Sequence, residues 1–131
     1  MTAWFNPESL LELARFLLAL SLYIGDDEAL IRTIMNRCYY AIFLILRERL
    51  GKGPNATHAE IYFETKRRTR ELATRLDQLW IYRRAADYFL KRPVKIRGRK
   101  ISLIVNFNED EARRCIDTAI EILRLLQSLL P

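Results

Sequence analysis

Four glycines and four prolines are few for a chain of 131 residues. With breakers so rare, and Leu, Ile, Ala, Arg and Glu abundant, the composition points to helices. The two cysteines, Cys38 and Cys115, lie far apart within apolar helical patterns. That excludes a disulfide framework and a zinc signature and marks both as small core residues, while spacing leaves a bond between them open. His58 is the single histidine, and there is no Cys-x-x-Cys pair, so no protein-only metal site is expected. No apolar run approaches the roughly 20 residues of a membrane span; the longest cover residues 16–20 and 38–46. The first residues lack the basic stretch and apolar run of a signal peptide, so a cytoplasmic protein without membrane association is expected. A Walker loop, a nucleotidyltransferase Gly-Ser motif with paired acids, a Gly-x-Ser-x-Gly elbow and a His-Glu-x-x-His motif are all missing, and no cofactor is implied.

What is present fits one domain with a real core: half of the residues are apolar. Asn6 as N-cap, Pro7 at the first helical position and Glu8 in the first turn open a helix that Gly25 ends. Asp26 and Asp27 open a second, running to about Leu50, with Leu30, Ile34, Cys38, Ala41 and Ile45 on one stripe and further apolar residues around it. A helix apolar on most sides is either central or part of a subunit interface. After the loop 51–56, Thr57 and Glu60 have capping-box spacing. The helical pattern then continues to Leu90, with a break expected near residues 66–70. Residues 93–107 switch to alternation about Gly98, the pattern of a short β-hairpin or an ordered loop. Asn108 and Glu111 repeat the capping-box spacing before a last amphipathic helix.

The net charge of +6 is local. Residues 83–100 hold eight bases and one acid, whereas the rest of the chain holds 14 bases and 15 acids. Concentration of charge in one segment points to a polyanionic partner more strongly than a high overall pI does. Arg84, Lys91, Arg92, Lys95, Arg97, Arg99 and Lys100 are therefore the candidate nucleic-acid contacts; the alternative is a solvated hairpin whose bases guard an open edge. Tyr39, Tyr40, Tyr82 and Tyr88 are either stacking platforms for bases or core aromatics.

Arg83 and Asp87 are four positions apart on one helix face, and Arg83 falls on the apolar stripe. An arginine placed there needs a full set of partners. Asp87 supplies one, and Arg37 on the second helix is the expected third member of a structural ion-pair network. The catalytic alternative draws on Arg83, Arg84, Tyr88 and His58, since metal-free RNA cleavage needs a proton shuttle and a cation for the developing phosphorane charge.

Three strings in order, "NRCYYAIFLILRERL" (36–50), "THAEI" (57–61) and "YRRAADYF" (82–89), resemble the small single-domain prokaryotic branch of the HEPN (higher eukaryotes and prokaryotes nucleotide-binding) family. The resemblance covers roughly residues 8–90 and the last helix. It implies an all-α, up-and-down bundle of four to five helices, to which the hairpin near 93–107 is an addition, and it implies a homodimer. It also implies pairing with a minimal nucleotidyltransferase, often as a toxin–antitoxin couple. Active toxins of the family are metal-independent RNases that place a His a few residues after the motif Arg. Arg83 matches that Arg and Arg84 follows it, but the His position is Tyr88, whose ordinary pKa near 10 makes a poor shuttle at neutral pH. The position of the tyrosine modified in some paired toxins is Leu90. The expectation is a nucleotide- or RNA-binding partner protein with little or no catalysis of its own. An RNase toxin and a purely structural partner subunit are the alternatives.

Overall fold

The breaker-poor segments do become helices. The computed structural model describes residues 8–24, 27–88, 94–96, 99–101 and 107–129. Among these residues five helices and one hairpin occur: α1 (Glu8–Ile24), α2 (Glu28–Arg49), α3 (His58–Arg68), α4 (Arg70–Tyr88), β1 (Val94–Ile96), β2 (Arg99–Ile101) and α5 (Glu109–Leu129). The chain is an all-α bundle with a small two-stranded addition. Asn6, Pro7, Gly25 and Asp26, expected to bound the first two helices, lie outside the described residues.

Local chemistry sets the ends of the others. Asp27 has extended backbone, and its carboxylate accepts from the Leu30 N–H at 3.0 Å, which caps α2. At the far end Gly51 has φ 68°. Its N–H donates to the Glu48 carbonyl and the Lys52 N–H to the Arg47 carbonyl, both at 3.0 Å, the bond pair of a Schellman end, where positive φ favours glycine. Thr57 accepts from the Glu60 N–H at 3.2 Å and Asn108 from the Glu111 N–H at 2.9 Å, so both expected caps form their side-chain-to-backbone half. The break expected near 66–70 is a single extended residue, Thr69 at φ −153° and ψ 118°.

α2 is the axis of the bundle. It packs against α1, α3, α4 and α5, with Ile31, Ile34, Met35, Cys38, Tyr39, Ala41, Ile42, Phe43 and Leu46 buried along it. One face of its apolar surface is therefore buried within the chain, while Leu30, Tyr40, Leu44 and Ile45 are partly buried. By length and composition α2 would also be apolar enough to cross a bilayer, although its longest unbroken apolar run is short. α5 offers Ala112, Cys115, Ala119, Ile122 and Leu126 at alternating steps of three and four, a seam on which small side chains let helices approach closely. α4 adds Leu72, Leu76, Leu79 and Ala86. Each fully buried Leu or Ile stabilises the fold by about 1.5–3 kcal/mol. Cys38 and Cys115 are free and buried. Burial pushes the Cys38 thiol up to about 12 and Cys115 well above its ordinary range, with the neighbouring Cys38 adding to the second shift. The two thiols thus approach each other across α2 and α5 without being bonded.

The hairpin is shorter than the alternating stretch 93–107. It pairs Val94 with Ile101, Lys95 with Lys100 and Ile96 with Arg99, and residues 102–106 lie outside the described ones. α1 has two apolar faces. Leu11 and Ala14 are buried, whereas Leu13, Phe16 (65% exposed), Leu20 and Tyr23 (92%) point outward. The outward residues of α5, among them Asp110, Arg113, Asp117 and Arg124, are polar. Among the described residues the exposed apolar stripe thus belongs to α1.

Candidate functional site

The buried interior gives way to polar chemistry where α2, α3 and α4 meet. Arg83 and Asp87, one turn apart on α4, form the expected ion pair: Nε lies 2.8 Å from Oδ2, with the side chains 19% and 26% exposed. The approach is close, but Nε is not aligned for a hydrogen bond. Nη2 of Arg83 donates to the Tyr40 hydroxyl at 2.9 Å. The guanidinium carbon lies 5.3 Å from the Tyr40 ring centre and 5.8 Å from that of Tyr39, within cation–π range. Asp87 Oδ1 accepts from the Asn36 side-chain amide at 2.9 Å. That is the place expected for Arg37, and the expectation is corrected: Arg37 Nη1 donates to Asn36 Oδ1 at 3.4 Å and joins the network one step removed. Successive residues are turned by about 100° around a helix, and it is Asn36 that faces Asp87.

His58 stands beside this network, at the first position of α3. Its Nδ1 is 2.8 Å from the Tyr39 hydroxyl and its Nε2 is 3.2 Å from Asp77 Oδ1. The imidazole stacks on Trp80, with centroids 4.6 Å apart and planes at 13°. In the neutral imidazole a carboxylate beside Nε2 favours the proton on that nitrogen, and Nδ1 then accepts from the hydroxyl. Burial pushes the Tyr39 hydroxyl far above its ordinary pKa, with Arg83 opposing, so Tyr39 keeps its proton. Tyr39 is therefore shared. His58 meets its hydroxyl and Arg83 lies over its ring, which puts two of the candidate catalytic residues in one cluster of a single chain.

The other candidates fall at the margins or beyond. Arg84 is half-buried, with its guanidinium carbon 5.2 Å from the Trp80 ring centre. Tyr82 donates to Glu111 Oε2 at 2.5 Å, tying α4 to α5; burial and that bond push its hydroxyl pKa upward. Of the four tyrosines considered for stacking, Tyr39 is buried, Tyr40 and Tyr82 are half-buried and hydrogen-bonded. Tyr88 ends α4, and its side chain lies outside the described residues, as do Lys91, Arg92 and Arg97. Lys95, Arg99 and Lys100 are placed on the strands by backbone alone. Among the described residues no group of three or more His, Cys, Asp or Glu side chains is arranged to hold a metal.

Sequence reasoning missed Asn36, Asp77 and Trp80. Asp77, Trp80 and Arg84 follow one another at steps of three and four, so they share a face of α4, and an acid on that face was a usable signal. Nothing in the spacing joined them to His58, which is on another helix. Comparison with family models, curated proteins and solved structures returns no match to this chain.

Proposed function

We propose that this chain is a HEPN-type binding protein with little or no catalysis of its own. It serves as the RNA- or nucleotide-binding partner of a minimal nucleotidyltransferase, in a two-gene, toxin–antitoxin-like system of the cytoplasm. The observation that carries the reading is convergence. Asn36, Tyr39 and Tyr40 from the first resembling string, His58 from the second, and Arg83 and Asp87 from the third meet in one cluster, two bonded sets joined by the position of Arg83 over the Tyr39 ring.

The state of Arg83 supports binding over catalysis. An arginine that stabilises a phosphorane must be aimed at the place where charge develops. Arg83 is engaged by Asp87 and Tyr40 and is mostly buried. Contact with the polyanion falls to the basic segment. The hairpin register sets position 95 across from position 100, both lysines. Like charges at opposed positions weaken a hairpin, and a phosphate backbone between them would relieve that. The exposed stripe of α1 supplies a face for a homodimer.

The test is RNA binding by the purified protein across a salt series. Arg97→Ala, Arg99→Ala and Lys100→Ala together should weaken binding and reduce the salt slope by about one unit for each lost phosphate contact. Unchanged binding, or none in the parent protein, would sink this part and favour the purely structural partner subunit. The shared Tyr39 keeps the RNase alternative specific, with His58 as proton shuttle. It requires RNA cleavage in EDTA that is lost in both His58→Ala and Arg83→Ala while the fold persists.

A further inference from the structure

An open cleft of about 340 Å³ between α2 and α4 is lined by Arg32, Thr33, Asn36, Arg37, Ala86 and Asp87. Most of its polar groups are already engaged. Arg32 donates to Glu28 Oε1 and to the Ala86 carbonyl, both at 2.9 Å, and lies over the Phe107 ring at 4.2 Å. The Thr33 hydroxyl donates to the Ala29 carbonyl at 2.8 Å. Asp87, the only carboxylate among the described residues of the wall, is countered by Arg83 at 2.8 Å and bonded by Asn36.

Arg37 differs from these. It is half-buried, and among the described residues its one hydrogen bond is the long 3.4 Å contact from Nη1 to Asn36 Oδ1. Its Nε is buried without a hydrogen bond, and no carboxylate among the described residues lies within ion-pair distance. Other arginines with a buried Nε have compensation: Arg75 has Glu71 at 3.8 Å, Arg83 has Asp87, and Arg84 lies over Trp80. A guanidinium drawn out of water is costly unless an anion and hydrogen bonds answer it.

We infer that this cleft binds a phosphoryl group, with Arg37 as the principal ligand and Asn36 as the group that positions it. The flat N–H fork of arginine matches two oxygens of a phosphate. Asn36 accepts one N–H and so fixes the plane of the guanidinium. The bonds of Asp87 to Asn36 and Arg83 lower its repulsion toward an arriving anion. The volume admits a phosphoryl group with a small part of the molecule that carries it. None of the described residues that line the cleft belongs to positions 91–100, so the test below includes the variant that separates this site from RNA binding by the basic segment.

Amide shifts of the ¹⁵N-labelled protein, followed at constant ionic strength, test this. Titration with inorganic phosphate should move Asn36, Arg37 and Asp87 and saturate in about the millimolar range. A parallel titration with AMP separates the sources: tighter saturation assigns a nucleotide phosphate, equal or weaker saturation assigns free phosphate, and both support the site. Arg37→Gln should weaken saturation by about tenfold or more, the loss of a charged hydrogen-bond donor. Arg37→Lys keeps the charge without the fork and should fall between, which preserves the test if the glutamine variant does not fold. The proposal is overturned by three results: no shifts at these residues in the parent protein, equal saturation in the Arg37 variants, or loss of the shifts on replacing Arg97, Arg99 and Lys100 by Ala.

Discussion

The side-chain amide of Asn36 donates to Asp87 Oδ1 at 2.9 Å, joining the second helix to the fourth. Arg83 holds the other carboxylate oxygen from within the fourth helix, so Asp87 is fixed from two directions. Removing the amide in Asn36→Ala should destabilise the protein by about 0.5–1.5 kcal/mol. A double-mutant cycle with Asp87→Ala, measured by urea unfolding, should return a coupling of about 0.5 kcal/mol or more. Additive effects would mean that the contact contributes nothing to stability.

Arg83→Ala should destabilise by about 1–3 kcal/mol. An exposed pair at this spacing is worth about 0.2–0.5 kcal/mol, and breaking a fully buried pair costs about 3–5 kcal/mol. Arg83 and Asp87, at 19% and 26% exposure, lie between those limits. Arg83→Lys should recover only part of the loss, because an ammonium cannot reach Asp87 and Tyr40 as a planar fork does. A change below about 0.5 kcal/mol, within the range of exposed pairs, would contradict a structural role and return Arg83 to the RNase alternative.

The Arg83–Asp87 pair and the His58 cluster differ in how far the sequence discloses them. Arg83 and Asp87 were legible because a helix brings residues four apart onto one face, and that rule is local. The caps at Thr57 and Asn108 and the break at Thr69 were legible for the same reason. Tyr39, His58 and Asp77 come from three helices, and only the packing of α2, α3 and α4 brings them together. Which residue of α2 meets Asp87, Asn36 rather than the expected Arg37, depends on rotation of α2 about its own axis. A helix apolar on most sides leaves that rotation undetermined, because its stripe has no sharp edges.

The outward stripe of α1 makes a separate prediction about assembly. Phe16 and Tyr23 are 65% and 92% exposed, with Leu13 and Leu20 between and beside them. A contiguous apolar stripe of this kind marks an interaction surface. Light scattering should give twice the chain mass of 15.5 kDa. Phe16→Glu should give the monomer mass with an unchanged helical spectrum, since the side chain lies outside the core. A parent protein that is monomeric would end the homodimer proposal, and a dimer that survives Phe16→Glu would move the interface away from α1.

Stability should fall on the alkaline side. Burial pushes the Cys38 thiol from its ordinary 9.0 up to about 12, and Cys115 is raised as well. In the unfolded chain both thiols lose their protons near the ordinary value, whereas the folded chain retains them. Below pH 9.0 neither state has ionised, and the contribution of the thiols to stability is fully present. As pH rises from 9.0 toward 12 the unfolded state binds fewer protons than the folded one, so unfolding becomes easier. Each thiol contributes at most about 1.4 kcal/mol per pH unit. Tyr39 and Tyr82, also raised by burial from their ordinary 10.0, act in the same direction at higher pH. The unfolding free energy from guanidinium titrations should therefore be level just below pH 9.0 and decline above it. Cys38→Ala removes one of the titrating groups, so its curve, although lower at neutral pH through the lost packing, should decline less steeply. Parallel curves for the two proteins would mean that Cys38 titrates alike in the folded and unfolded chain, which its burial between α2 and α5 does not permit.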